Sequence, residues 1–195
     1  MVMSQHEDEV ALTLSTEQRL FPAARMLTDI EAVGIGKTLL VRPTTAQLQS
    51  QARVSLSPVA TEQEWQDYTR ARVEVEAGFG VGREQTEVMV CDLRERTNSL
   101  GLRLYLARDG EHLVGAIARF LLPAPYQHWA RLQEVDVFPP WRGNGFGDAV
   151  LASMFAILSA EGSAMVVVGA DEDDWPLSWY RRRGFRDVAR VALAR

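Results

Sequence analysis

In this 195-residue chain the stretch best equipped for chemistry is Trp141-Arg142-Gly143-Asn144-Gly145-Phe146-Gly147. It follows an apolar strand pattern, Ala130 to Phe138, that Pro139 and Pro140 end because neither can donate to a ladder. It precedes a helical pattern through Ala149, Val150, Leu151, Met154, Phe155 and Leu158. Strand, glycine-rich turn and helix in succession aim several backbone N–H groups at one spot, and the helix dipole adds positive potential there. Such a spot takes an anion. Gly143, Gly145 and Gly147 let the backbone approach a phosphate with no β-carbon in the way, and Arg142 adds a charge-assisted contact. A glycine-rich turn alone can equally be a plain connection, so a second block matters: Trp179-Tyr180-Arg181-Arg182-Arg183-Gly184-Phe185, on a helix after the next strand. Two carboxylates, Glu134 and Asp136, share one face of the strand that feeds the turn, opposite Val135 and Val137.

The elements that must position these groups follow from turn signals and hydrophobic period. Residues 1–52 read as an N-terminal segment. It has a polar start, a helical pattern around Leu20, Ala24, Leu27 and Ile30 weakened in front by Pro22, a stop at Gly34-Ile35-Gly36, and the apolar run Leu39-Leu40-Val41. A strand at Val54 to Leu56 comes next, then Thr61 and Glu64 at the capping-box spacing that opens a helix, with Trp65, Tyr68 and Val75 on its apolar face. The glycines of Gly78 to Gly82 interrupt it as a flexible loop. Glu84 to Asn98 predicts a second helix, with Val88, Cys91 and either Leu93 or Glu95 turned inward. Leu102 to Ala107 and Leu113 to Leu122 flank Asp109-Gly110 as a hairpin. Ala164 to Val168 is a strand buried on both sides, a short helix starts near Pro176, and Val188 to Leu193 is the last strand. The pattern predicts an α/β fold, a mixed sheet with helices on both faces.

Composition narrows the function classes. With 47% apolar and 24% charged residues the chain suits one soluble globular domain. Its 21 basic and 26 acidic residues leave a net charge of -5, so no field draws the whole chain onto nucleic acid or an anionic membrane. The N-terminus is acidic where a signal peptide would be basic, and no apolar window reaches the ~18 residues of a membrane span. The lone Cys91 permits no internal disulfide, which together points to the cytoplasm. His6, His112 and His128 lack metal-ligand spacing, and no metal is expected. Gly36-Lys37-Thr38 lacks the earlier glycine of a nucleotide P-loop, where Glu31 stands.

Val137 to Gly147 resembles the R-x-x-G-x-G acyl-CoA pyrophosphate loop of the GNAT superfamily of N-acetyltransferases, and Tyr180 to Phe185 is similar to that family's tyrosine helix and Gly-Phe ending, in the same order. The resemblance covers about residues 53–195, which makes residues 1–52 an extension in front of an acetyltransferase domain. It implies a splayed mixed sheet and acetyl-CoA as co-substrate, the pantetheine arm lying between the strands at Ala130 to Phe138 and Ala164 to Val168. By the same resemblance the backbone of Arg142, Gly143, Asn144, Gly145, Phe146 and Gly147 holds the pyrophosphate, and Val135 and Val137 bind the cofactor, Val137 by bonding the pantetheine and polarising the thioester carbonyl. Tyr180 protonates the departing thiolate, and Glu134, ranked first, or Asp136 is the base, directly or through water. The implied reaction moves an acetyl group to a primary amine by direct attack in a ternary complex. The acceptor is a small molecule or a side-chain amine, with a cationic one favoured by the acidic balance, and a homodimer is the common state of such proteins. The rival reading is a non-catalytic acyl-CoA-binding module of the same fold.

Two departures from the family pattern stand out. Asp173 occupies the place, seven before Tyr180, where many relatives carry a cofactor-contacting Asn, and Pro176 stands where they have Ala; an acid there can cap the short helix. One strand, not two, follows Gly184-Phe185, so Thr38 to Arg42 is expected to pair beside the last strand and cover an edge that would otherwise invite aggregation. Deleting residues 1–45 should therefore lower the melting temperature; an unchanged one would refute that role.

Overall fold

Leu39, Leu40 and Val41, the apolar run near the N-terminus, have no solvent exposure at all in the computed structural model, which describes residues 24–26, 36–46, 48, 50, 53–124 and 126–193. In chain order the elements are β1 (Ala24–Met26), β2 (Gly36–Pro43), β3 (Ser55–Pro58), α1 (Glu62–Ala77), α2 (Arg83–Ser99), β4 (Arg103–Asp109), β5 (His112–Leu121) and β6 (Trp129–Val137). A 3-10 turn (Pro139–Trp141), α3 (Phe146–Ala160), β7 (Met165–Asp171), α4 (Trp175–Arg182) and β8 (Arg186–Leu193) complete it. The fold class is mixed α/β. The chain divides into two compact units, one of Met1–Ala46, Leu122–Arg131 and Ser163–Arg195, the other of Gln47–Leu121 and Leu132–Gly162.

In the first unit the strands run in the order β1-β8-β2-β7-β6. β2 is antiparallel to both neighbours, with Leu40 opposite Val168 of β7 and Leu39 opposite Ala189 of β8. A strand with ladders on both sides and burial from Thr38 to Arg42 has no solvated face, hence its unbroken apolar run. The start of β6 joins in parallel, Ala130 opposite Val166. Ala24, expected in a helix, instead pairs with Leu193 in a short ladder, because β8 offers it unmet backbone partners. The rest of that helical pattern, Leu20, Pro22, Leu27 and Ile30, and the stop at Gly34-Ile35 lie outside the described residues, as does His6. α4 is capped by Asp174, whose side chain accepts the Trp175 N–H at 2.7 Å, with Pro176 in its first turn.

In the second unit the order is β6-β5-β4-β3. The β4–β5 hairpin closes with Asp109 opposite His112, so the loop proper is Gly110-Glu111, with Gly110 at φ 58°. α1 opens with both halves of its capping box: Thr61 Oγ1 accepts the Glu64 N–H at 3.2 Å, and Glu64 Oε2 accepts the Thr61 N–H at 2.8 Å. α2 buries Thr86, Val90 and Leu93, a stripe of helical spacing. Val88, 57% exposed, and Cys91 and Glu95, both exposed, face away from that stripe, which corrects their expected inward placement. The apolar α3 is tied to the approach of β3 by Ser153 Oγ, which donates to the Val54 carbonyl at 3.0 Å.

β5 comes close enough to β6 at Gly115 that a Cβ there would run into the Asp136 carbonyl oxygen and touch Val137 Cα. Gly115→Ala should therefore lower stability by about 1–3 kcal/mol, the usual range for overpacking, measured as a shift in the urea midpoint. No shift would mean the two strands separate freely at this point.

Candidate active site

The geometry starts from one backbone torsion. Glu134 has φ 49°, the left-handed region that a side chain adopts only at a cost of order 1–3 kcal/mol. Around it, β6 presents Glu134 and Asp136 to a single guanidinium, that of Arg72 on α1. Arg72 Nη1 lies 3.4 Å from Glu134 Oε2 and in direct contact with Asp136 Oδ2, and its Nη2 is 2.7 Å from Glu76 Oε1. Tyr68, fully buried one turn earlier, donates its hydroxyl to Glu134 Oε2 at 3.4 Å. Tyr68, Arg72 and Glu76 fall at successive i, i+4 positions, which puts phenol, guanidinium and carboxylate in one row along the helix.

Burial raises the Asp136 carboxyl above its ordinary range; Arg72 opposes this, and the nearby Glu134 and Glu76 charges reinforce it. Burial also lifts the Tyr68 phenol well above its usual value, helped by the Glu134 charge, so Tyr68 stays a donor. For Arg72 burial works against the charge, but Asp136, Tyr68, Glu134 and Glu76 together raise it, so the guanidinium never loses its proton. Tyr68, Arg72 and Glu134 line a cavity of about 100 Å³ together with Val90, Leu93 and Arg96 of α2, and Met89 and Asp92 complete its wall.

The glycine-rich turn lies in the same unit. Gly143 at φ 79° and Gly145 at φ 80° adopt the left-handed conformation that only glycine takes cheaply, and Gly145 is the N-cap of α3. A Cβ at either position would meet nothing within 4 Å, so the turn is open on that side. Asn144 Nδ2 donates to the carbonyls of Arg142 at 3.1 Å and Trp141 at 3.4 Å, which holds the turn's shape. Among the described residues the N–H groups of Gly143, Asn144 and Gly145 find no acceptor, and those of Phe146 and Gly147 belong to the orphan first turn of a helix. That donor set suits a phosphate. Asp148, in the same first turn, brings a negative charge to the spot that the helix dipole makes positive. Arg142 Nε donates to the Val137 carbonyl at 2.9 Å, which holds this side chain beside β6.

Thus Glu134, Val135, Asp136, Val137 and Arg142 to Gly147 belong to the second unit, whereas Tyr180 and Asp173 belong to the first. Tyr180, 6% exposed, packs edge-on against Trp179 at 4.8 Å and Phe185 at 5.2 Å between ring centroids. Gly184, at φ 79°, makes the turn that brings Phe185 back. Asp173 is exposed in the turn before α4 and is not the cap of that helix; the neighbouring Asp174 is. Sequence reasoning misses Arg72 and Glu76. Their signal is two charged residues standing on the helical stripe of Tyr68, where an amphipathic helix keeps apolar ones. Among the described residues no three His, Cys, Asp or Glu are arranged to hold a metal ion, and no helix is long and apolar enough to cross a membrane.

No family model matches the chain, and no curated protein does. Solved structures do. A conserved protein of unknown function from Staphylococcus epidermidis superposes with a TM-score of 0.64 at 15% identity over 91% of this chain and 64% of that one. A GCN5-related N-acetyltransferase from Sphaerobacter thermophilus gives 0.54 at 18% identity over 92% of this chain and 54% of that one. Another from Ralstonia eutropha gives 0.51 at 19% identity, over 68% of this chain and 92% of that one. The chain therefore spans about half to two thirds of the two longer proteins. Its fold is that of the GNAT N-acetyltransferases.

A carboxyl whose folded pKa lies above its unfolded value, about 3.9 for Asp, binds its proton more tightly when folded, so it costs stability as pH rises through that window. Asp136→Asn removes this loss. The stability of the variant relative to wild type should therefore improve as pH rises from the ordinary carboxylate range toward neutrality, read from urea midpoints; a difference independent of pH would refute the raised value.

Proposed function

We propose that the chain is an acyl-CoA-dependent N-acyltransferase that moves an acetyl or other short acyl group to a primary amine by direct attack in a ternary complex. The observation that carries this is the turn Gly143 to Gly145, held open at the N-terminus of α3 with N–H groups that no described residue accepts, in a fold shared with N-acetyltransferases. Those N–H groups and the α3 dipole would hold the pyrophosphate, with Arg142 adding charge. Acyl-CoA supplies a thioester carbonyl open to nucleophiles. The amine nitrogen forms its bond to that carbonyl carbon, and the carbon–sulfur bond breaks. Glu134 takes the proton that the amine loses, the departing sulfur takes one from solvent, and solvent returns Glu134 to its starting state. Glu134 is favoured over Asp136 because it lines the cavity, and because its Oε1 has no partner among the described residues while Asp136 is bound to Arg72.

Purified protein should melt higher with acetyl-CoA or CoA, but not with ATP, since a ligand at 100 times its Kd stabilises by about 2.7 kcal/mol. No rise would reduce the glycine turn to a connection and remove the basis of the proposal. Glu134→Gln should leave that rise intact and lower thiol release with amines by about 10²–10⁴-fold, the worth of a positioned base. A rise without any thiol release would favour the non-catalytic acyl-CoA-binding module.

A further inference from the structure

Resting on the acyltransferase reading, we propose that the acceptor is a small zwitterion of the amino-acid class, its amino group against Glu134 and its carboxylate on Arg96. Glu134 and Arg96, groups of opposite sign, both line the cavity. Glu134 shares the Arg72 guanidinium with Glu76 and Asp136, which do not themselves line the cavity, so three carboxylates stand against one guanidinium and an ammonium group at Glu134 would reduce that excess. Glu134 Oε2 is already shared by Tyr68 and Arg72, whereas Oε1 has no partner among the described residues and can accept from that ammonium.

The group for the carboxylate is Arg96, which also lines the cavity. Its Nη1 donates to Gln133 Oε1 and its Nε to the Asp92 carbonyl, both at 3.4 Å and both neutral acceptors. Among the described residues it has no carboxylate within ion-pair distance, unlike Arg72 on the same cavity wall. Asp92 also lines the cavity, but its carboxylate is exposed to solvent and is not paired with Arg96. A half-buried guanidinium with only neutral partners on the wall of a cavity is suited to a carboxylate, which its planar fork can bind through two N–H groups.

Size and lining agree with this class. About 100 Å³ is well below the ~300–1,000 Å³ of sites for drug-sized ligands, which suits a ligand of amino-acid size better than an aminoglycoside. Met89, Val90 and Leu93 give an aliphatic side chain an apolar wall. An amine without a carboxylate, such as a polyamine or a lysine side chain in a peptide, would leave Arg96 facing neutral groups alone.

The test compares alanine, valine and leucine with their decarboxylated counterparts ethylamine, isobutylamine and isopentylamine, by calorimetric binding to the full chain and by acetyl transfer. At least one amino acid should bind about 10–100-fold more tightly than its matched amine, the worth of a hydrogen bond between charged groups. Arg96→Gln should erase that ratio and Arg96→Lys should keep part of it, in variants whose melting temperature matches wild type. Matched amines that bind as well as the amino acids, a preference that survives in Arg96→Gln, or no binding of any amino acid would each overturn the proposal. A melting shift with CoA combined with a preference for the plain amines would leave the transferase reading standing. Amino-acid binding through Arg96 without any response to CoA would uphold the zwitterion site and remove the transferase.

Discussion

Three carboxylates cannot stand side by side away from water unless a cation is placed among them, and in the second unit that cation is Arg72. Its guanidinium touches Glu76, Glu134 and Asp136, while Tyr68 donates to Glu134 from one turn earlier on the same helix. Each group is held by the others. Removing one partner of a buried pair leaves an uncompensated charge and costs about 3–5 kcal/mol, whereas the intact set is close to neutral in stability. The cluster is therefore better understood as a device that fixes geometry than as a source of folding energy. It holds one oxygen of Glu134, while the other has no partner among the described residues, which is the arrangement that the proposed proton acceptor needs.

The strain at Glu134 belongs to the same device. A residue at φ 49° within a strand persists only where its surroundings over-determine it. Gly115 of β5, with no Cβ to strike the Asp136 carbonyl, allows the close approach on one side, and Arg72 draws the carboxylates on the other. The glycine turn that follows β6 works by the same economy. Gly143 and Gly145 take left-handed torsions at little cost, so backbone N–H groups rather than long side chains become the donors, and Asn144 stiffens the turn through its carbonyls. Asp148 runs against this arrangement, since its charge competes with any anion for the potential at the start of α3.

β2 shows how a strand from the N-terminal segment can become a central strand of the sheet. It lies between β7 and β8 and pairs with both, so its unbroken apolar run meets two ladders and no water. That placement explains Leu39, Leu40 and Val41 better than an edge position would, because an edge strand tolerates and often requires polar residues.

Much of this protein can be read from local rules, because local rules are enough for it. Capping box, Asp-Gly hairpin, proline stop and glycine turn are set by residues a few positions apart, so α1, the β4–β5 hairpin, the end of β6 and the start of α3 are legible in the sequence. So are Glu134 and Asp136 as neighbours on one strand, since alternation along a strand is a backbone property. What remains hidden there depends on distant partners. The inward face of α2 is chosen by what it packs against, which is why Val90 is buried and Val88 is not. Ala24 is a strand residue because β8 offers it a ladder. The left-handed torsion at Glu134 and the meeting of Arg72 with Glu134 and Asp136, more than 60 positions away in sequence, exist only once α1 lies against β6. The sequence alone determined which groups could carry charge and where the backbone must turn. Which charges meet, and which are left open to a ligand, was decided by the tertiary structure, because desolvation and Coulomb attraction act through space and not along the chain.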